Sequence, residues 1–189
     1  GKKSTEEDEA EIREALAGSN MVFVATGMGG GTGSGATPEI ARIAKEMGIL
    51  VVGIVTKPFE WEGVKKMTTA INYIEILRNH VDALIVIPNQ RLLQIIDHNV
   101  SFNEAFKKVD EVLHNATKGI TEIIGNHGEV NIDFADVTSV MKNSGDAIMG
   151  IGYATGEKRT ELALTNALHS PLLDGASIRG AKGVLVNFT

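Results

Sequence analysis

Gly27-Met28-Gly29-Gly30-Gly31-Thr32-Gly33-Ser34-Gly35 is the stretch whose reading decides the fold. It follows a short apolar run, Met21 to Ala25, and precedes Thr37-Pro38-Glu39, a cap and first-turn proline that predict a helix running to Met47. Strand, glycine loop and helix in that order put exposed backbone N–H groups and a positive helix end where an anion can settle. Glycines let the backbone close on phosphate oxygens without intervening Cβ atoms, and the hydroxyls of Thr32 and Ser34 add donors. Gly29, Gly30, Gly31, Thr32, Gly33, Ser34 and Gly35 therefore form a candidate phosphate cradle. A tightly turned linker is the plain alternative, but so many glycines cost backbone entropy unless something uses them.

Spacing separates the kinds of cradle. A Walker loop needs lysine and then a hydroxyl residue after its second fixed glycine, and counting from Gly30 to Gly35 puts Ala36 in the lysine slot. The dinucleotide fingerprint fits Gly31 to Ala36 in its version ending in alanine. The next strand, however, ends in Thr56-Lys57 where a ribose-binding acid belongs, so a dinucleotide-dependent oxidoreductase is the weaker alternative.

Outward from the loop, the period switches back and forth. Ile49 to Val55 is a continuous strand-type run, Gly63 to Arg78 a helix, Ala83 to Ile87 a strand, and Pro88 to Asp97 a short helix. That alternation predicts an α/β fold with a largely parallel nucleotide-binding sheet flanked by helices. Upstream, Ser4 and Glu7 at capping-box spacing predict one helix from Ser4 to Ala17, stopped by Gly18. Downstream, the apolar stripe from Phe102 to Ile124 predicts a long central helix. Gly125-Asn126-His127-Gly128-Glu129 is the expected boundary, giving a first domain over 1–124 and the start of a second, smaller α+β domain over 125–189. In the latter, helices are expected at Phe134 to Lys142 and Glu157 to His169, with strands at Ala147 to Ala154 and Gly183 to Phe188.

Composition bounds the function. The 189 residues are 43% hydrophobic and 22% charged, the make-up of an ordinary globular protein, and no cysteine is present to build a disulfide or a thiolate metal site. A net charge of −6, with acids crowded between Glu6 and Glu11, argues against broad contact with nucleic acid. No apolar run approaches a membrane span, so a cytoplasmic protein without direct membrane insertion is expected. His80, His98, His114, His127 and His169 are scattered and offer no general acid–base pair.

Glycine-rich Gly29 to Gly35 after a short strand resembles the signature of the tubulin and FtsZ superfamily. Asn131-Ile132-Asp133-Phe134-Ala135-Asp136-Val137 resembles the FtsZ catalytic loop, and Thr56-Lys57-Pro58-Phe59, Ile87-Pro88-Asn89 and Met149-Gly150-Ile151-Gly152 follow in that family's order. The likeness spans essentially the whole chain. Ser34 stands where most FtsZ proteins carry threonine, closer to the tubulin spelling.

A guanine pocket needs an apolar face for stacking and an acceptor pair for the N1–H and exocyclic amine. Phe106 and Asp110, four apart on one helical face, supply both. Taken alone they also read as a core ring and a solvated acid; the resemblance makes them the guanine contacts. It also implies that Glu62, Lys66 and Asn89 meet sugar and phosphates. Two departures bear on this. Lys66 replaces the usual arginine and loses its bidentate fork, and Gln90 stands where aspartate commonly follows the asparagine.

Asp133 and Asp136 read locally as an N-cap and a first-turn acid. The resemblance implies more: with Asn131 they enter the GTP/GDP pocket of the next subunit in a head-to-tail filament and orient the attacking water, while Mg²⁺ is held through the nucleotide phosphates and water rather than by a protein site. It further implies hydrolysis of GTP, polymerisation at the bacterial division site, and contacts with other cell-division proteins. A strand and a further glycine loop are expected before Gly1, which itself resembles the tail of the γ-phosphate-sensing loop, and further strands after Thr189. The rival from another class is a non-hydrolysing assembly or inhibitory fragment that caps filaments.

Overall fold

The computed structural model describes residues 1–93, 101–125, 133–173 and 180–187. In chain order, α1 (Lys2–Glu7) and α2 (Glu9–Leu16) precede β1 (Met21–Gly27), α3 (Gly31–Glu46), β2 (Leu50–Lys57), α4 (Val64–Arg78) and β3 (Ala83–Pro88). Then come α5 (Asn89–Leu92), the long α6 (Phe102–Gly125), α7 (Phe134–Met141), β4 (Gly145–Ala147) and α8 (Arg159–Leu168). A 3-10 turn, Glu60–Glu62, joins β2 to α4.

The four strands lie in the order β1-β2-β3-β4, all parallel. Residues of β2 alternate between the two faces, as the twofold period of a strand requires. Val51 and Val55 pack with Ala41, Ala44, Ala70, Ile74 and Leu77 of α3 and α4. Val52 and Ile54 pack on the other side with Phe59 and with Ala105, Val109, Ala116 and Ile120 of α6. Both faces of β2 are thus buried, which is why its sequence is continuously apolar rather than alternating.

The amino-terminal edge of the sheet is fastened by Asp82, buried just before β3. Its carboxylate accepts the Val51 N–H at 3.0 Å and the Asn143 N–H at 3.3 Å, and pairs with Lys45 Nζ at 3.5 Å. Its carbonyl accepts the Gly145 N–H at 3.0 Å. Asp82 so ties β2, the end of α3 and the segment after α7 to one point. Arg78, at the end of α4, adds ion pairs to Glu75 and to Asp146 of β4.

Helix α3 is held to α2 by charge. Arg42 bonds Glu39, Glu46 and Glu9, and Arg13 bonds Glu9 and Glu46. Hydrogen bonds to these carboxylates push the Arg42 guanidinium above its ordinary pKa, and hydrogen bonds from Arg13 and Arg42 hold Glu9 below the usual carboxylate range.

Several sequence expectations are corrected here. The single helix expected from Ser4 to Ala17 is two, broken at Asp8, and Ser4 lies inside α1 because Thr5 already bonds back to Gly1 through both its N–H and its hydroxyl. Both helices lie against α3. Helix α3 begins at Gly31 instead of Thr37, so Pro38 lies inside it and denies the Ser34 carbonyl its usual N–H partner. The strand expected over Ala147 to Ala154 is only Gly145–Ala147, paired with β3. Residues 148–154 instead press on α8, where an added Cβ at Gly150 or Gly152 would collide with the Ala167 and Ala163 carbonyls. Residues 183–187 form no strand, and the short helix after β3 is Asn89–Leu92. Phe188, Asp97 and most of the expected boundary at Gly125 to Glu129 lie outside the described residues.

Candidate functional site

The carboxyl ends of β1, β2 and β3 form one edge, the edge at which open parallel sheets bind ligands. There the chain leaves β1 at Gly27 and turns at once into α3. Two bonds close the turn: the Met28 N–H donates to the Thr56 carbonyl at 3.0 Å, and the Gly29 N–H to Ser34 Oγ at 2.9 Å. Ser34 is buried, and its oxygen is engaged within the turn. Thr32 is exposed on the first turn of α3.

The glycines divide into two sets by what surrounds them. Gly29 has φ +106°, and a Cβ there would sit 2.9 Å from the Lys66 carbonyl. At Gly33 it would strike Thr26 Oγ1 and the Gly27 carbonyl, and at Gly35 it would sit 2.8 Å from the Lys2 nitrogen. Internal packing accounts for these three. Gly30 and Gly31 have nothing within 4 Å of the Cβ position, and neither has a left-handed φ. Among the described residues no contact demands glycine at these two positions, whereas a ligand closing on the backbone would. Gly30, the N-cap, supplies no side-chain cap, so the first-turn N–H groups of α3 remain available.

Asn89 follows β3 at the same edge. It is 4% exposed, and its Oδ1 is a buried acceptor without a hydrogen-bond partner among the described residues. An orphaned buried acceptor costs free energy unless a donor arrives, and a sugar hydroxyl is such a donor.

The turn Glu60–Glu62 and α4 bring Glu62 and Lys66 together: Lys66 Nζ donates to Glu62 Oε2 at 3.0 Å, while Glu62 Oε1 accepts the Phe59 N–H at 2.9 Å. Through its carbonyl, Lys66 also meets Gly29 of the cradle. Phe106, on α6, meets the buried Phe59 ring nearly at right angles, with centroids 5.3 Å apart, and keeps 40% of its surface exposed. Asp110 lies one turn further along α6, exposed, and its carboxylate has no partner among the described residues. Cradle, Lys66, Glu62, Phe59 and Phe106 are thus joined by successive contacts.

The acidic pair sits elsewhere. Asp133 caps α7, its Oδ1 accepting the Ala135 N–H at 3.3 Å, as its position in the sequence predicts. Asp136 is exposed, and its carboxylate is unpaired among the described residues. Helix α7 ends where Asn143 and Ser144 bond Asp82, at the amino edge of the sheet, opposite the cradle. Asn131 lies outside the described residues.

Sequence reasoning missed the aromatic cluster around Phe59. Trp61 stacks on it at 4.1 Å with the rings 12° from parallel, and Phe102 meets Trp61 edge-on at 5.3 Å. The signal available was an aromatic pair two residues apart, Phe59 and Trp61, just before Glu62.

Residues 1–97 match the model of the Tubulin/FtsZ family GTPase domain, and residues 145–189 the FtsZ family C-terminal domain. Among solved structures, an empty FtsZ dimer of M. jannaschii is 47% identical with a TM-score of 0.88, over 92% of this chain and 50% of that one. The W319Y mutant of M. jannaschii FtsZ, also 47% identical, has a TM-score of 0.89 over 92% of this chain and 52% of that one. CetZ from Methanosaeta thermophila, 24% identical over 89% of this chain and 48% of that one, shares the fold with a TM-score of 0.73. The chain spans about half the length of these structures. It belongs to the tubulin/FtsZ family.

Proposed function

We propose that this chain carries most of a GTP site and, at its opposite edge, the acidic loop that completes the same site in a neighbouring subunit. The carrying observation is the pair Gly30 and Gly31, glycines with no internal reason to be glycine, at the uncapped start of a 16-residue helix. Phosphate oxygens would take the first-turn N–H groups of α3, Asn89 Oδ1 and Glu62 would receive ribose hydroxyls, and guanine would lie on the free surface of Phe106 with Asp110 accepting N1–H and the amine.

Hydrolysis of GTP requires a water in line with the γ-phosphate and donors aimed at the charge that develops on it. The donors belong to the cradle, and the groups that orient the water belong to Asp133 and Asp136 of the next subunit. Asp136 is the freer of the two, because Asp133 already caps its own helix. Mg²⁺, if bound with the nucleotide, would neutralise phosphate charge, while the N–H groups of the cradle hold the phosphate oxygens. A site split between opposite edges makes a heterologous contact, and such contacts build open filaments. In cells those filaments would form in the cytoplasm at the division site, together with other division proteins.

Titration with GTP, ATP and NADH tests the ligand class. GTP should bind in preference to both; preference for NADH would favour the oxidoreductase reading, and equal binding of ATP would remove Asp110 from the site.

A further inference from the structure

Gln90 departs from the family's aspartate, and the structure gives it a specific partner. Its Oε1 accepts the Glu60 N–H at 3.2 Å, across 30 residues of sequence. The other hydrogen bonds of the segment Phe59 to Glu62 among the described residues are local: Glu62 N–H to the Phe59 carbonyl, Gly63 N–H to the Glu60 carbonyl, Phe59 N–H to Glu62 Oε1, and Lys66 Nζ to Glu62 Oε2. Among the described residues, Gln90 alone fastens this turn to a distant element by a hydrogen bond. The turn is three residues long and leads into Gly63 at φ +99°; its start is anchored by the buried Phe59 ring, and its Glu60 backbone by Gln90. It also carries the parts that matter: Phe59 supports Phe106, Trp61 covers Phe59, and Glu62 holds Lys66.

We infer that Gln90 is a positioning residue that clamps the Phe59–Glu62 turn to the β3–α5 corner, fixing Trp61 and Glu62 relative to Asn89 on the ribose side of the site. An amide suits the place. Its oxygen accepts the Glu60 N–H as a carboxylate would, and its longer side chain adds no charge beside Glu60 and Glu62. This assignment of ligand side rests on the guanine-nucleotide reading, but the clamp itself does not.

Trp61 is the chain's sole tryptophan, so its fluorescence reports the turn directly without nucleotide. In Gln90→Ala, acrylamide should quench Trp61 more strongly and its emission should move to the red, because losing one such bond shifts the turn's equilibrium about two- to tenfold. Gln90→Glu, which keeps an acceptor oxygen at the same reach, should restore the quenching of the unsubstituted chain. In the longer protein, Gln90→Ala should weaken GTP by a similar factor and leave turnover at saturating GTP unchanged. Unaltered quenching in a folded Gln90→Ala chain would overturn the clamp, as would failure of Gln90→Glu to restore it. Altered quenching with unaltered GTP affinity would overturn its role at the site. Failure of the unsubstituted protein to bind GTP would instead defeat the nucleotide reading, and the Trp61 measurement would still judge the clamp.

Discussion

Gly30 and Gly31 differ from their neighbours in what a methyl group would do. Gly31 is the first residue of α3 and faces open space, so Gly31→Ala should leave stability unchanged or raise it by up to about 1 kcal/mol, the helical advantage of alanine over glycine. The same methyl should obstruct a phosphate and lower GTP affinity by about one to two decades, the worth of one charge-assisted bond. A melting curve and a GTP titration on this single variant therefore move in opposite directions, whereas a plain helix start predicts a gain with no binding cost. Gly33→Ala should destabilise outright, since its methyl meets Thr26 and the Gly27 carbonyl. Asp110 is tested by exchange of donor and acceptor. In Asp110→Asn, GTP should weaken by about one to two decades while xanthosine triphosphate gains relative to it, because an amide donates to the carbonyl that replaces guanine's amine. An unchanged preference for GTP would place Asp110 outside the pocket.

At the scale of elements, the strongly periodic segments were legible in sequence because burial on both faces of the sheet dictated them. The continuous apolar run Ile49 to Val55 reads as a buried strand, found over Leu50–Lys57, and the stripe expected over Phe102 to Ile124 places α6 within a residue of its ends. Sequence and structure differ at helix starts, where one local hydrogen bond outweighs another local signal. Ser4 and Glu7 have capping-box spacing, yet Thr5 bonds Gly1 and the helix starts earlier. Thr37-Pro38 has the look of a helix start, yet the turn closed by Ser34 and Gly29 starts the helix six residues before Thr37. The Gln90 bond, the Asp82 hub and the Arg42 network join residues 30 to 62 apart or on different helices, which no local pattern reveals. The Arg42 network also predicts a pH response. Glu9, Glu39 and Glu46 are all held below the ordinary glutamate pKa by hydrogen bonds from arginine, so their stabilising contribution is present above that value and lost as pH falls through the depressed ones. Docking of α2 on α3 should hold from neutral pH down to the ordinary glutamate range and loosen only below it. Hydrogen exchange of the α2 amides along an acid series, with the strand amides as reference, measures this; an α2 that loosens between pH 7 and 5 would contradict it.

For the whole molecule, the decisive feature is that the cradle and the end of the acidic helix stand at opposite edges of one sheet. This placement is compatible with the proposed head-to-tail contact, in which opposite edges of successive subunits would meet. The most direct measurement mixes two variants of a protein that carries this chain within the length of its structural relatives. Gly31→Val should spoil the cradle but keep the acidic loop, and Asp136→Ala should spoil the loop but keep the cradle. Each alone should hydrolyse GTP about two to four decades more slowly than the unsubstituted protein. Mixed in equal amounts, they should recover about a quarter of full turnover, because random head-to-tail pairing puts an intact cradle against an intact loop at about one junction in four. A mixture no more active than its parts would contradict a site shared between subunits.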